Sequence, residues 1–145
     1  MLAIVVALTN TFLLGVRRVS GESMLPTLPD RALVLVAQRP VMGTIERFTV
    51  VTLQAPFSGE AQIKRVVAFP GETIRIANGV LYIDEHAVVE PHRSILPEHA
   101  QQQRFTVPDG HVFVLGDNRS PLASRDSRQY GPVPETDITG RVLLY

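Results

Sequence analysis

Asn78-Gly79 restricts the fold of this chain more than any other feature. It sits between Thr73–Ala77 and Val80–Asp84, where apolar and polar side chains alternate. Asn-Gly readily adopts the paired positive-φ geometry of a two-residue hairpin loop. Such a loop sets Ile76 opposite Leu81, Arg75 opposite Tyr82 and Ile74 opposite Ile83. The aliphatic pairs then share one face and the Arg–Tyr pair takes the other, as a half-buried hairpin requires. The surrounding chain extends this β reading. Eleven prolines and ten glycines among 145 residues cut it into short Val- and Ile-rich runs. The runs Ala32–Ala37, Phe48–Leu53, Gln62–Phe69, Phe105–Val107, His111–Leu115 and Arg141–Tyr145 read as strands. Pro70-Gly71 and Pro108-Asp109-Gly110 are turns between them. Glu90–Gln103 has no apolar period and reads as a surface loop, and Asn118–Tyr130 is also loop-like.

Met1–Val16 is a different kind of segment, with no charged side chain before Arg17-Arg18. As a helix it would span about 24 Å, somewhat less than the roughly 30 Å hydrocarbon core of a bilayer. A membrane anchor, a cleaved signal peptide and a buried helix all compete here. A signal peptide places its basic residues before the apolar run and small residues at its end. This segment has the opposite arrangement, which favours an anchor over residues 1–18. The expected architecture is therefore mainly β: a mostly antiparallel, coiled sheet domain over residues 19–145 behind one N-terminal membrane helix.

The composition narrows the function classes. The formal net charge is zero, so no electrostatic footprint for nucleic acid exists. The chain has no cysteine and thus no disulfide or thiolate chemistry. His86, His92, His99 and His111 lack metal-ligand spacing, so neither a metal nor a cofactor is expected.

Three stretches carry chemistry. The first, Ser20-Gly-Glu-Ser-Met-Leu-Pro-Thr-Leu-Pro29, places Ser23 on irregular backbone between Gly21 and Pro26. Taken alone, it reads equally as a linker. The second, Ile63-Lys-Arg-Val-Val-Ala-Phe-Pro-Gly-Glu72, sets two basic residues in an apolar strand. Period-2 geometry puts Lys64 with Val66 and Ala68, and Arg65 with Ile63 and Val67, so one cation must share a face with the core. Desolvation there favours a neutral amine able to accept a proton. The third is Gly116-Asp-Asn-Arg119 with Ser124-Arg-Asp-Ser-Arg128 and Tyr130-Gly-Pro-Val133.

Together and in this order, the three stretches resemble the boxes of the type I signal peptidase family, membrane-anchored serine/lysine proteases that remove signal peptides from exported proteins. The resemblance implies Ser23 as nucleophile and Lys64 as general base. It implies that Ser124 hydrogen-bonds and orients the lysine amine, and that Asp117, Arg119, Asp126 and Arg128 brace the site. Implied partners are preproteins with small-x-small cleavage sites and the lipid bilayer. The implied location is the cytoplasmic (inner) membrane, single-pass, with the catalytic domain on the outer face. Arg17 and Arg18 alone would put the domain inside, but too few residues precede the helix for the charge rule to compare.

The chain also departs from the family pattern. Gly21 stands where many relatives carry a serine that donates to the oxyanion, which leaves that task to backbone N–H groups, chiefly that of Ser23. Ser120–Ala123 is longer than the family's spacer before the serine matched by Ser124. Arg47-Phe48-Thr49 replaces a usual Arg-Gly-Asp, and the large insertion of some enterobacterial members is missing, as in the compact form. Met24 and Leu25 either dip into lipid or join the core. Two alternatives remain beside general preprotein processing: a specialised relative, such as a conjugation or pilin-processing peptidase, or an inactive membrane-tethered binding module.

Overall fold

A computed structural model describes residues 13–90, 92 and 102–145. These form two antiparallel sheets. The strands are β1 (Leu14–Arg18), β2 (Leu33–Gln38), β3 (Val50–Gln54), β4 (Ala61–Ala68), β5 (Thr73–Ala77), β6 (Val80–Ile83), β7 (His86–Val88), β8 (Gln103–Thr106), β9 (His111–Leu115), β10 (Val133–Pro134) and β11 (Ile138–Leu144). One short helix, α1 (Ser127–Tyr130), lies between β9 and β10. The larger sheet has seven strands in the order β1-β2-β11-β3-β4-β9-β10, and the smaller has four in the order β7-β6-β5-β8. The mainly β, antiparallel expectation holds.

The hairpin forms with the expected register, Ile74 opposite Ile83, Arg75 opposite Tyr82 and Ile76 opposite Leu81. Asn78 and Gly79 have φ of 49° and 74°, the mirror-turn geometry that matches strand twist. The four aliphatic residues are buried, and the Arg75 guanidinium stacks 3.8 Å over the Tyr82 ring on the outer face. Their buried face packs on Val67, Ala68, Phe113 and Leu115 of the larger sheet, while Phe105 on β8 meets Phe113 at 4.9 Å between centroids.

The N-terminal expectation needs correction. Leu14–Arg18, placed in the anchor by sequence, is strand β1 and pairs with β2 from Leu14 opposite Ala37 to Arg18 opposite Leu33. The hydrogen-bonding edge of β2 satisfies these backbone groups, and an apolar run is compatible with either helix or strand until a partner is known. The rest of the proposed anchor, residues 1–12, lies outside the described residues. No helix among the described residues is long and apolar enough to cross a membrane.

Met24 is core, not a lipid contact. With Val19, Leu28, Val34, Val36, Val50 and Val142 it makes an apolar cluster under the Ser20–Pro29 loop. A loop with its own apolar plug is held as firmly as a strand, which is how irregular backbone can present a hydroxyl rigidly. Leu25 is only half-buried.

The strand alternation on β4 also breaks. Val66 packs with Val51 and Leu53, while Val67 and Ala68 both join the cluster beneath the hairpin. The β4–β9 register shifts between Val66 and Ala68, so Ala68 leaves the face of Lys64.

Gly79→Ala should destabilise the domain by about 1–2 kcal/mol, because an added Cβ disfavours positive φ. Urea titration would show the midpoint fall; an unchanged midpoint would remove the turn as a determinant of stability.

Candidate active site

Asp117, in the loop after β9, is the junction of the site. It is fully buried and accepts from Arg65 twice, Nε to Oδ1 at 2.8 Å and Nη2 to Oδ2 at 2.7 Å. Thr27 Oγ1 donates to the same Oδ2 at 2.5 Å. Arg65 also donates to the Phe48 carbonyl at 2.6 Å. Burial alone would lower the guanidinium's pKa, but the bonds and charge of Asp117 outweigh it and the net shift is upward. Phe48 occupies a left-handed conformation with φ 69°, where the family pattern has glycine. Its carbonyl is thereby aimed at Arg65, and its N–H bonds the Val66 carbonyl at 2.8 Å.

The loop continues the clamp. Asn118 N–H donates to the Ser23 carbonyl at 3.0 Å, and its side chain donates to the Glu22 carbonyl at 3.1 Å. Gly116 explains how the two loops come so close. A Cβ there would lie 2.3 Å from Ser124 Oγ and 2.5 Å from the Ser23 carbonyl oxygen, so only glycine fits.

These contacts bring Ser23 and Lys64 together. Lys64 Nζ donates to Ser23 Oγ at 3.0 Å and to the Ile63 carbonyl at 3.1 Å. Both Lys64 and its neighbour Arg65 are buried, at 4 % and 3 % exposure, where the alternation had required only one. Arg65 is neutralised by Asp117, whereas Lys64 has no carboxylate in contact among the described residues. Burial therefore pulls its pKa down to about 8, against the opposing pull of Asp126 and Glu60. The charge of Asp126 is already engaged. It takes Arg128 Nε and Nη2, each at 2.9 Å, together with Gly116 N–H at 2.9 Å. Burial would raise the Asp126 pKa, but these donors and Ser124 outweigh it and lower it. Asp126 also caps α1 by accepting from Arg128 N–H at 3.1 Å.

Ser124 differs from its expected contact. Its hydroxyl donates to Asp126 Oδ2 at 2.8 Å, and it makes no hydrogen bond to Lys64. Its one proton goes to the buried carboxylate, a strong acceptor, and its oxygen can then only accept. Arg119 is wholly buried, with Nε on the Gly116 carbonyl at 2.7 Å and its fork on Glu90. The Glu90 side chain is almost as buried, although no periodicity marked it as more than the start of a loop. Thr27 and Asn118 were similarly missed as site residues, even though both belong to the boxes quoted from the sequence. Gly21 has φ 89° and donates its N–H to Asp30 at 2.8 Å, which commits that donor elsewhere. The N–H of Ser23 has no acceptor among the described residues.

A cleft of about 480 Å3 opens on this pair, lined by Ser23, Met24, Ile63 and Lys64 together with Gln38, Thr52 and Thr139. On β4, the partner strand β9 begins only at Arg65, so Ala61–Lys64 has β3 on one side and, among the described residues, no strand on the other. Among the described residues no group of His, Asp and Glu could hold a metal.

The profile described as "Signal peptidase, peptidase S26" matches residues 1–145. The chain belongs to the signal peptidase family. It is 36% identical over 159 aligned positions to a probable signal peptidase I-1 of Synechocystis, covering 99% of this chain and 77% of that one. With the signal peptidase I of Bacillus caldolyticus it shares 35% identity, covering 95% of this chain and 82% of the relative. The crystal structure of a signal peptidase I from Enterococcus faecalis V583 superposes with a TM-score of 0.60 at 30% identity, covering 70% of this chain and 98% of the other.

Burying Lys64 has a thermodynamic signature. Between pH 8 and 10.5 the unfolded chain holds the lysine proton and the folded chain releases it, so wild-type stability should rise with pH across that window. Below it the folded state bears the full penalty, about 3 kcal/mol for a shift of this size. Lys64→Met should therefore be more stable than wild type at pH 7, with the difference shrinking toward pH 10.5. A stability difference independent of pH would refute the burial argument. Gly116→Ala should fold poorly or lose activity by displacing Ser124 and the Ser23 loop, as read by near-UV circular dichroism beside a cleavage assay.

Proposed function

We propose that this chain removes signal peptides from exported preproteins with Ser23 as nucleophile and Lys64 as general base. The observation that carries this reading is the 3.0 Å contact between Ser23 Oγ and a lysine amine whose pKa burial has lowered to about 8. In the neutral amine the contact reverses, and Oγ–H donates to the Nζ lone pair. Lys64 takes that proton as Oγ attacks the scissile carbonyl and returns it to the leaving amine. It then deprotonates the water that hydrolyses the ester. The tetrahedral oxyanion falls to the uncommitted N–H of Ser23. Asp117, Arg119, Asp126 and Arg128 hold the two loops in register, and Ser124 acts through Asp126.

The open edge of Ala61–Lys64 suits an extended peptide, which would add as a strand and bring its carbonyl to Ser23. Met24 and Ile63 line the cleft with Ser23, and the small-x-small preference is proposed from the likeness to the signal peptidase family. Support for a bilayer comes from the outer face of β1, β2 and β11. Val16, Leu33 and Leu144 are each 60 to 67% exposed there, and β1 follows the apolar residues 1–12 in the chain. A single-pass anchor with the domain on the outer face fits this placement.

Ser23→Ala should abolish processing of a preprotein while leaving the fold intact, and Lys64→Arg should be inactive, since guanidinium keeps its charge at every workable pH. Wild-type kcat/KM should climb with pH through an apparent pKa near 8, because only the neutral amine accepts a proton. Full activity in Lys64→Arg would end the serine/lysine reading. Substrates with Ala before the cut should be processed and those with Phe refused; equal kcat/KM for the two would remove the steric account of specificity.

A further inference from the structure

Chemistry at Ser23 and Lys64 leaves one contact in the cleft without a role. Tyr130 ends α1, the helix that Asp126 caps, and its hydroxyl donates to Gln62 Oε1 at 3.2 Å. The Tyr130 ring packs on the cluster of Val51, Leu53 and Val66, so the phenol is fixed in place. Burial, and then the charge of Asp126, raises its pKa, which keeps the hydroxyl a donor throughout the working pH range. With its oxygen taken by Tyr130, the Gln62 carboxamide has both N–H groups of Nε2 to spare. Neither has a protein acceptor among the described residues.

Gln62 lines the same cleft as Ser23 and Lys64. It lies opposite Leu53 on β3, as Lys64 lies opposite Val51, so the two side chains leave β4 on one face. Two residues of strand separate them, roughly 6.5–7 Å. A peptide laid along this edge with its scissile carbonyl at Ser23 therefore passes Gln62 about two residues from the cut. Preproteins differ in their side chains there, and the acceptor they have in common is the main-chain carbonyl.

We infer that Gln62 is a substrate-positioning residue: its Nε2 donates to a main-chain carbonyl of the bound preprotein about two residues from the scissile bond, and Tyr130 holds the carboxamide in that orientation. This rests on reading the cleft as the preprotein site. It gives the Tyr130 box a task of its own, since the helix braced by Asp126 reaches the substrate through Tyr130 and Gln62.

Steady-state cleavage of a preprotein-derived peptide by the full chain in detergent tests this, using Gln62→Leu, Gln62→Asn, Tyr130→Phe and the Gln62→Leu/Tyr130→Phe double variant. Losing one such hydrogen bond should raise KM about three- to tenfold, with kcat within about twofold of wild type. The ascending limb near pH 8 should stay in place, because the base is untouched. Tyr130→Phe should raise KM by less than Gln62→Leu and add nothing in the double variant. Substrates with different side chains at that position should lose the same factor. An unchanged KM in Gln62→Leu overturns the inference, as does a Tyr130→Phe effect that persists undiminished without Gln62. A loss that tracks the substrate side chain overturns the main-chain assignment. Should Gln62→Leu not fold, Gln62→Asn keeps the donor but retracts it, and an unchanged KM there counts equally against. Ser23→Ala in the same assay separates the two readings. If it is inert while Gln62 is silent, only this inference fails; if it cleaves normally, the cleft assignment fails first.

Discussion

Asp117 joins all three stretches that carry chemistry. Arg65 grips it with both fork nitrogens from β4, Thr27 donates to it from the Ser23 loop, and it belongs to the loop after β9. Such a buried pair is costly to desolvate, and replacing it with well-packed apolar residues is often neutral for stability. Its contribution is therefore geometric. A bidentate guanidinium–carboxylate contact tolerates little displacement, so β4 and the loop after β9 are locked in register, with the Ser23 loop tied to both. Lys64 is the residue next to Arg65 on β4, and the position of its amine relative to Ser23 Oγ is inherited from this lock.

Two adjacent cations on one strand have opposite fates because their surroundings differ. Arg65 has a buried carboxylate and stays charged. Lys64 has Asp126 and Glu60 within electrostatic reach but neither in contact, and the first of these is already bonded by Arg128, Gly116 and Ser124. Desolvation then prevails at Lys64, which is the condition for a lysine to act as a base near neutral pH. The supporting network thus has a second effect beyond bracing: by occupying Asp126, it limits how far that carboxylate can restore the lysine's charge.

Local pattern sufficed where the determinants are adjacent in sequence. The hairpin register followed from Asn78-Gly79 and the alternation around it, because a two-residue loop admits one pairing. The β character of the domain followed from the spacing of Pro and Gly. Three boxes in order singled out Ser23 and Lys64, which the fold brings within 3.0 Å, although neither residue alone outweighed an ordinary linker serine or edge-strand lysine. The likeness to the signal peptidase family then agreed with that order across the whole chain.

What sequence left open depended on partners distant along the chain. Leu14–Arg18 is a strand because β2 offers it an edge, and apolar residues by themselves do not choose between helix and strand. Met24 is core because Val34, Val36 and Val142 surround it. Glu90 meets Arg119 across 29 positions, and the Ser124 hydroxyl donates to the buried Asp126 carboxylate. The alternation of β4 could say that a cation faces the core but not that both are buried, since a register shift and an ion pair from another loop decide that. Residue order thus determined the turns, the strand character and the choice of Ser23 and Lys64 as the candidate pair. Their proximity, the lowered lysine pKa and the hydrogen-bond partners were decided by packing, because desolvation and long-range contacts exist only once the chain has folded.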